Sequence, residues 1–182
     1  MIRRVRIYGN PILQRKSSPL EQIDSGIRRL AGDMMETMYH YNGVGLAAPQ
    51  VGESLRIITV DPRDQQFGAR VLINPRITSN KGEISGEEGC LSLPNIYAEI
   101  KRSEEITIIY KDLEGKEHNE IWKGFVARIA QHEIDHLNGV LFVDHLEDGQ
   151  REPLREQLKT LKKHYKELEK IGPDIVDKAR SI

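Results

Sequence analysis

The sequence predicts an α+β fold: mostly antiparallel sheets packed around a central helix that carries an H-E-x-x-H pattern, with an N-terminal helix and a C-terminal helix. Three observations support this class. A block of β-rich segments lies between helical segments without strict alternation of strand and helix. Apolar residues recur at spacings of three and four in the helical segments. The 182 residues, 38% of them hydrophobic, suit a single domain over residues 1–182.

The N-terminal helix is predicted over residues 21–41 and is expected to end at the Asn-Gly pair at 42–43. Its apolar stripe consists of Ile27, Leu30, Met34 and Met38. The next segment, residues 43–52, contains three glycines and a proline. Such a composition disfavours both a helix and a central strand, and it predicts an extended loop with an accessible backbone.

Five strands are then predicted, at residues 55–60, 70–73, 96–101, 105–110 and 117–122. Proline is expected to end the first two strands, in the Asp-Pro pair at 61–62 and the Asn-Pro pair at 74–75. The turn sequence DLEG at 112–115 predicts a hairpin between the last two strands.

Two further helices are predicted. The central helix covers residues 124–138 and ends at Gly139, and the C-terminal helix covers about residues 152–170 and ends before the Gly-Pro pair at 172–173. The apolar stripe of the C-terminal helix consists of Leu154, Leu158, Leu161, Tyr165 and Leu168.

Composition excludes several classes of protein. The net charge of −1 gives no overall basic field for DNA, and an aromatic content of 5% leaves few platforms for stacking single-stranded nucleic acid. The one cysteine, Cys90, cannot form an internal disulfide and fits a reducing compartment. Neither a signal peptide nor a membrane-spanning run is recognisable, so we expect a cytoplasmic protein that does not contact the membrane.

The segment QHEIDH at residues 131–136 predicts a metal site. Residues four apart on an α-helix point the same way, so His132 and His136 can bind one divalent ion. Glu133 lies beside them and could take a proton from water that the metal activates. The alternative is that these polar residues simply cover a solvated helix face.

The third metal ligand stays open on spacing alone. An extended zinc-protease motif would need a histidine at position 142, where this chain has Phe142. A downstream glutamate is a second possibility, from Glu147, Glu152 or Glu156. Cys90 is the third, although a lone cysteine is more often an inert packing residue.

Three segments together resemble the signature motifs of the peptide deformylases: GVGLAAPQ at 43–50, EGCLS at 88–92 and QHEIDH at 131–136. Their order and spacing are also similar to that family. The resemblance implies metal ligation by Cys90, His132 and His136, with Glu133 as general base and then general acid. It also implies that the side chain of Gln50 and the backbone N–H of Leu91 stabilise the oxyanion.

The resemblance further implies hydrolysis of the formyl group from the N-terminal formyl-methionine of nascent polypeptides. The implied cofactor is one divalent ion, Fe²⁺, which Zn²⁺, Ni²⁺ or Co²⁺ can replace. Gly43 and Gly45 could let a peptide backbone lie alongside as an added strand. An apolar pocket for methionine is assigned to Val44, Phe125 and Ile129, with ordinary core packing as the alternative.

Three details are less settled by the sequence. Tyr97 stands where relatives often carry arginine, so peptide contacts there can differ. Glu88 and Arg102 could orient the Cys90 loop or form a plain surface ion pair. Of the remaining histidines, none has metal-like spacing, and we expect them on the surface: His40, His118, His145 and His164.

The C-terminal helix carries a basic surplus of three charges over residues 151–170. In some relatives a basic C-terminal helix docks on the ribosome, so the resemblance implies the ribosome as a candidate partner, with a merely solvated amphipathic helix as the alternative. Two rival functions remain beside the deformylase reading: a metallopeptidase with a glutamate ligand, and a non-catalytic ribosome-binding module with a structural metal.

Overall fold

The structure is a computed structural model that describes the backbone of residues 1–171 and the side chains of residues 1–168. It confirms the predicted α+β fold. The strands are β1 (Gly45–Ala47), β2 (Ile57–Val60), β3 (Arg70–Lys81), β4 (Ile84–Cys90), β5 (Leu93–Arg102), β6 (Glu105–Lys111) and β7 (Glu117–Lys123). The α-helices are α1 (Ser25–His40), α2 (Gly124–Leu137), α3 (Asp148–Arg151) and α4 (Arg155–Ile171).

Two antiparallel sheets carry the fold. The larger has the strand order β1-β2-β3-β6-β7, and the smaller is the hairpin of β4 and β5. One face of α2 packs on the larger sheet and forms an apolar core with it, through Ala127, Ala130, Ile134 and Leu137. Burial of this face fixes the rotation of α2, and the rotation directs the opposite face toward the small hairpin.

The helix α1 begins four residues later than predicted. The side chain of Asp24 accepts a hydrogen bond from the backbone N–H of Ile27 at 2.9 Å, so this residue caps the helix and sets its first turn. The predicted apolar stripe is largely correct, because Leu30, Met34 and Met38 are buried.

Two predictions around the strands were wrong. Residues 43–52 are not simply an extended loop, since they contain β1 and a 3₁₀ turn at Ala48–Val51. The strand β3 continues through the Asn-Pro pair at 74–75 because a shift of register between Ile73 and Arg76 accommodates the proline. Asn74 has a positive φ of 51° at this irregularity.

The strand β4 was not predicted, because its sequence ISGEEGC contains two glycines and only one β-branched residue. Its partner β5 begins three residues earlier than expected. The other predicted strands and the central helix agree with the structure to within one or two residues.

The C-terminal helix is interrupted where it was expected to begin. Pro153 lies in a 3₁₀ turn at Glu152–Leu154, and α4 follows from Arg155. Leu158, Tyr165 and Leu168 are buried, as the apolar stripe predicted. The predicted stop at 172–173 lies outside the described residues, and the single domain over 1–182 stays a prediction. Within the described part, no helix is both long and apolar enough to cross a membrane.

Candidate metal centre

Two elements that are distant in sequence bring together three side chains of types that bind metals. Cys90 is the last residue of β4, and His132 and His136 lie one turn apart on α2. The Cys90 Sγ lies 3.2 Å from Nε2 of His136, and one donor atom from each of the three residues lies within 4.8 Å of the others. Among the described residues, the downstream glutamates Glu147, Glu152 and Glu156 do not join this donor group.

A buried carboxylate orients one of the imidazoles. Glu88 Oε2 lies 2.9 Å from Nδ1 of His132, and the carboxylate also accepts hydrogen bonds from Arg102 at 2.9 Å and from Arg128 at 2.7 Å. When Nδ1–H donates to Glu88, Nε2 of His132 is left as the atom that can bind a metal. Because Glu88 and Arg102 are about 95% buried, the alternative of a plain surface ion pair is wrong.

Opposing effects act on the pKa of Glu88. Burial raises this pKa, but the hydrogen bonds from His132 and Arg102 lower it more, so the carboxyl pKa lies well below its usual range. Glu88 therefore stays ionised next to its cationic partners.

Sequence reasoning missed two members of this network. Arg128 lies one turn before His132 on α2, and Asp135 binds Arg102 and His145 on the side away from Glu88. An arginine within a largely apolar helix was the available signal for Arg128, since such a residue must find a buried anion.

Gln50 is held close to the thiol. Its Oε1 accepts a hydrogen bond from the backbone N–H of Ala47 at 2.7 Å, which turns the amide NH₂ toward Cys90 Sγ at 3.4 Å and Ser92 Oγ at 3.3 Å. The 3₁₀ turn at Ala48–Val51 buries this side chain almost completely. The N–H groups of the Gln50 amide therefore point toward the cluster of Cys90, His132 and His136 from the side of the larger sheet.

Glu133 is a buried carboxyl group beside the two histidines. Its Oε2 has no hydrogen-bond partner among the described residues, and burial raises the pKa of Glu133 to about 7. Its Oε1 lies against Gly45, where an added Cβ would approach to 2.5 Å. The glycine thus leaves the room that this carboxylate occupies.

All residues assigned to substrate binding from the sequence line one cleft of about 810 Å³ with the donor group: Gly43, Val44, Gly45, Phe125 and Ile129. Ile129 is buried and Val44 is half-buried. Phe125 is 56% exposed, so the alternative of ordinary core packing is wrong for this residue. Tyr97 lines the same cleft and is 59% exposed.

The residues present fit a divalent transition metal. One thiol and two imidazoles are ligands that Zn²⁺, Fe²⁺, Co²⁺ and Ni²⁺ accept. Burial lowers the pKa of His136 well below the usual histidine value, which keeps this imidazole neutral as a ligand must be. The expected surface position of the other histidines holds for His40 and His145, whereas His118 and His164 are half-buried.

Comparison with known proteins gives a consistent result. The family model for polypeptide deformylases matches residues 2–152. The chain is 43% identical over 166 residues to the peptide deformylase of Chlorobaculum parvum, covering 89% of each protein. It is 51% identical over 144 residues to that of Dictyoglomus thermophilum, covering 79% of this chain and 92% of the relative.

Solved structures agree. The crystal structure of the peptide deformylase from Thermus thermophilus superposes with a TM-score of 0.84 at 43% identity, covering 90% of this chain and 99% of that one. The enzyme from Legionella pneumophila gives a TM-score of 0.83 at 39% identity, covering 95% and 100%. The chain belongs to the polypeptide deformylase family.

Proposed function

We propose that the protein hydrolyses the formyl group from the N-terminal formyl-methionine of nascent polypeptides and releases formate. The observation that carries this proposal is the position of Glu133, a buried carboxyl with an oxygen that has no partner among the described residues, in one cleft with Cys90 and His132 and next to the cluster that these two form with His136. Family membership supports the same reaction. A formamide is an unactivated amide, so its hydrolysis needs proton transfer and charge stabilisation together.

Cys90, His132 and His136 are the proposed ligands of one divalent ion. When bound, this ion supplies Lewis acidity toward water and the formyl carbonyl. Fe²⁺ is the proposed native ion on the basis of the family resemblance. Zn²⁺, Ni²⁺ and Co²⁺ are proposed substitutes because the same three ligands suit all four ions.

Glu133 is proposed to move the proton. Its Oε2 first accepts a proton from the attacking water and then donates it to the nitrogen of the leaving amine. A pKa of about 7 suits both steps, because the protonated and ionised forms are then both populated near neutral pH. The apolar surroundings that raise this pKa also keep bulk water from competing for the carboxylate.

Gln50 and Leu91 are proposed to stabilise the oxyanion. The Gln50 amide is preorganised because Ala47 fixes its carbonyl end. Leu91 follows Cys90 directly and lines the same cleft, so its peptide N–H is the proposed second donor. A preorganised donor of this kind contributes about 2.7–4 kcal/mol to lowering the barrier.

The substrate is proposed to lie beside β1. This strand is at the edge of the larger sheet and, among the described strands, pairs only with β2, so its outer side can accept an extended peptide as an added strand. Val44, Phe125 and Ile129 are proposed to contact the methionine side chain, with Ile129 nearest the core and Phe125 at the exposed mouth.

Because nascent chains are the proposed substrates, the cytoplasm is the proposed location of the protein. Contact with the ribosome through α4 stays a prediction from the basic surplus of that helix. Charge reversal of its exposed lysines, followed by co-sedimentation with ribosomes, measures this directly.

The substitution Glu133→Gln tests the proposed reaction. We expect it to lower kcat for a formyl-Met peptide by about 10²–10⁴-fold while metal content and fold are retained, because only proton transfer is removed. The matched control is Glu156→Gln, which changes a fully exposed carboxylate that the metallopeptidase alternative offers as a ligand. Full activity of the Glu133→Gln protein would contradict the proposed role of Glu133. Absence of formate release by the metal-loaded wild-type protein would favour a structural metal site, and loss of metal from Glu156→Gln would favour the metallopeptidase.

A further inference from the structure

The helix α4 forms part of the wall of the cleft. Thr160, Leu161, His164 and Leu168 line the same cavity as Cys90 and Glu133. The match to the family model ends at residue 152, so this wall lies outside the region that the family match covers.

The N-terminal segment holds α4 in this position. Ile7 packs against Tyr165 and Leu168 in a small apolar cluster. At Gly9 an added Cβ would lie 3.2 Å from both the Cα of Lys162 and the ring of Tyr165, so helix and segment are in close contact.

The same segment is tied to the catalytic loops. The backbone N–H of Arg6 donates to the carbonyl of Gln50 at 2.6 Å, and that of Tyr8 donates to the carbonyl of Ser92 at 2.8 Å. Ile7 lies between these two hydrogen bonds and faces α4. The backbone of residues 6–8 thus positions α4 relative to Gln50 and the β4–β5 turn.

The part of the cleft next to α4 has an apolar floor and a polar rim; we call it the α4 lobe. Its floor consists of Ile7, Leu93, Leu161 and Leu168, and its rim of Asn95, Thr160 and His164. In the β4–β5 hairpin, Leu93 pairs directly with Cys90, so the lobe begins one strand away from the thiol.

His164 is the rim residue with unused hydrogen-bonding capacity. The hydroxyl of Thr160 donates to the carbonyl of Glu156 within the helix at 2.8 Å. The half-buried ring of His164 makes no hydrogen bond or ion pair with any other described residue, although it faces the cleft. A ring placed in this way can bind a polar group of a ligand that enters the lobe.

The geometry points to the α4 lobe as a subsite for substrate residues downstream of the formyl-methionine, with His164 and Leu161 as specificity-determining residues. The ligand class is an extended peptide with an apolar side chain, which the floor covers while His164 hydrogen-bonds the peptide backbone. The lobe is continuous with the cleft that holds the reacting group, so a peptide longer than two residues can reach it. This inference rests on the proposed function.

Formylated peptides of different length test the subsite. The substrates are formyl-Met-Ala, which is too short to reach the lobe, and two pentapeptides, formyl-Met-Ala-Leu-Leu-Leu and formyl-Met-Ala-Ser-Ser-Ser. For His164→Ala we expect KM for both pentapeptides to rise about 2- to 10-fold, the value of one hydrogen bond, with kcat and the KM for the dipeptide unchanged. Leu161→Asn should abolish the preference for the leucine peptide.

The matched control is Lys163→Ala, an exposed residue beside His164 that does not line the cleft. It should leave all three substrates unchanged. Equal effects of His164→Ala on the dipeptide and the pentapeptides, or no effect on either, would overturn the subsite while leaving the proposed function intact.

A binding measurement separates the two proposals. If the wild-type protein released no formate from the dipeptide, the proposed function would fail. The lobe is then still tested by adding the unformylated peptide Met-Ala-Leu-Leu-Leu and following the NMR signals of the His164 ring. A shift of these signals that Leu161→Asn weakens supports the subsite, and unchanged signals at saturating peptide contradict it.

Discussion

The two sides of the Cys90, His132 and His136 donor group are built differently. On the side facing the β4–β5 hairpin, Glu88 binds His132 and two buried arginines, and both of its oxygens are used. On the side facing β1, Glu133 keeps an oxygen without a partner, and the Gln50 amide makes only long contacts of 3.3–3.4 Å. A saturated network holds its members in one geometry, whereas unsatisfied buried groups keep their capacity for a ligand. This difference supports the proposal that one side positions the metal ligands and the other side contacts the substrate.

The largest effect on stability is expected on the saturated side. Glu88→Ala leaves the buried Arg102 and Arg128 without their shared carboxylate, so we expect a loss of about 3–5 kcal/mol in the free energy of unfolding. Metal affinity should also fall about 10- to 100-fold because His132 is no longer oriented. Urea denaturation and metal titration measure the two effects. The exposed Glu156→Ala is the control, and equal stability of both variants would contradict the distinction between the two sides.

The next effect concerns the side that faces β1. Gln50→Ala should lower kcat/KM for a formyl-Met peptide by about 10²–10³-fold because a proposed oxyanion donor is lost. It also leaves the buried N–H of Ala47 unpaired, which should cost about 1–3 kcal/mol of stability. Steady-state kinetics with metal analysis on the same sample separates these contributions. Gln65→Ala, at an exposed position, should change neither quantity, and a Gln50→Ala enzyme of normal activity would remove Gln50 from the proposed mechanism.

The smallest effect on stability is expected at Gly45, where β1 and α2 are in close contact. A Cβ on Gly45 would meet Glu133 Oε1 at 2.5 Å and the Ile129 side chain at 2.8 Å. Gly45→Ala should therefore displace the carboxyl group and destabilise the fold by about 1–3 kcal/mol through overpacking. Gly32→Ala, on an exposed position of α1 with no atom within 4 Å, should instead stabilise the fold by about 0.5–1 kcal/mol. Thermal unfolding of both proteins provides the measurement, and a neutral Gly45→Ala would show that this contact can relax.

The sequence predicts the local features of the site better than the long-range ones. Helical spacing alone places His132 and His136 on one face, because that relation depends only on residues within one turn. Spacing does not select Cys90 over a downstream glutamate, because the thiol arrives through a strand pairing distant from α2. Resemblance to a family supplied that link.

Tertiary contacts explain the features that local patterns missed. A bulge lets β3 pass the Asn-Pro pair, and pairing with β5 turns the glycine-containing segment at 84–90 into a strand. Arg128 of α2 can be buried because the carboxylate of Glu88, on the β4–β5 hairpin, accepts its hydrogen bond. Phe125 is exposed because it lies in the first turn of α2 on the side of the cleft, and it does not belong to the cluster that packs on the sheet.

Metal binding by the three donors is the central claim, and a stoichiometry measurement tests it most directly. The wild-type, Cys90→Ala and Glu156→Gln proteins are loaded anaerobically with Fe²⁺ or Zn²⁺, freed of excess ion and analysed for bound metal. We expect one equivalent in the wild-type and Glu156→Gln proteins and almost none in Cys90→Ala, whose fold is checked by circular dichroism. A folded Cys90→Ala protein that retains a full equivalent of tightly bound metal would contradict the account.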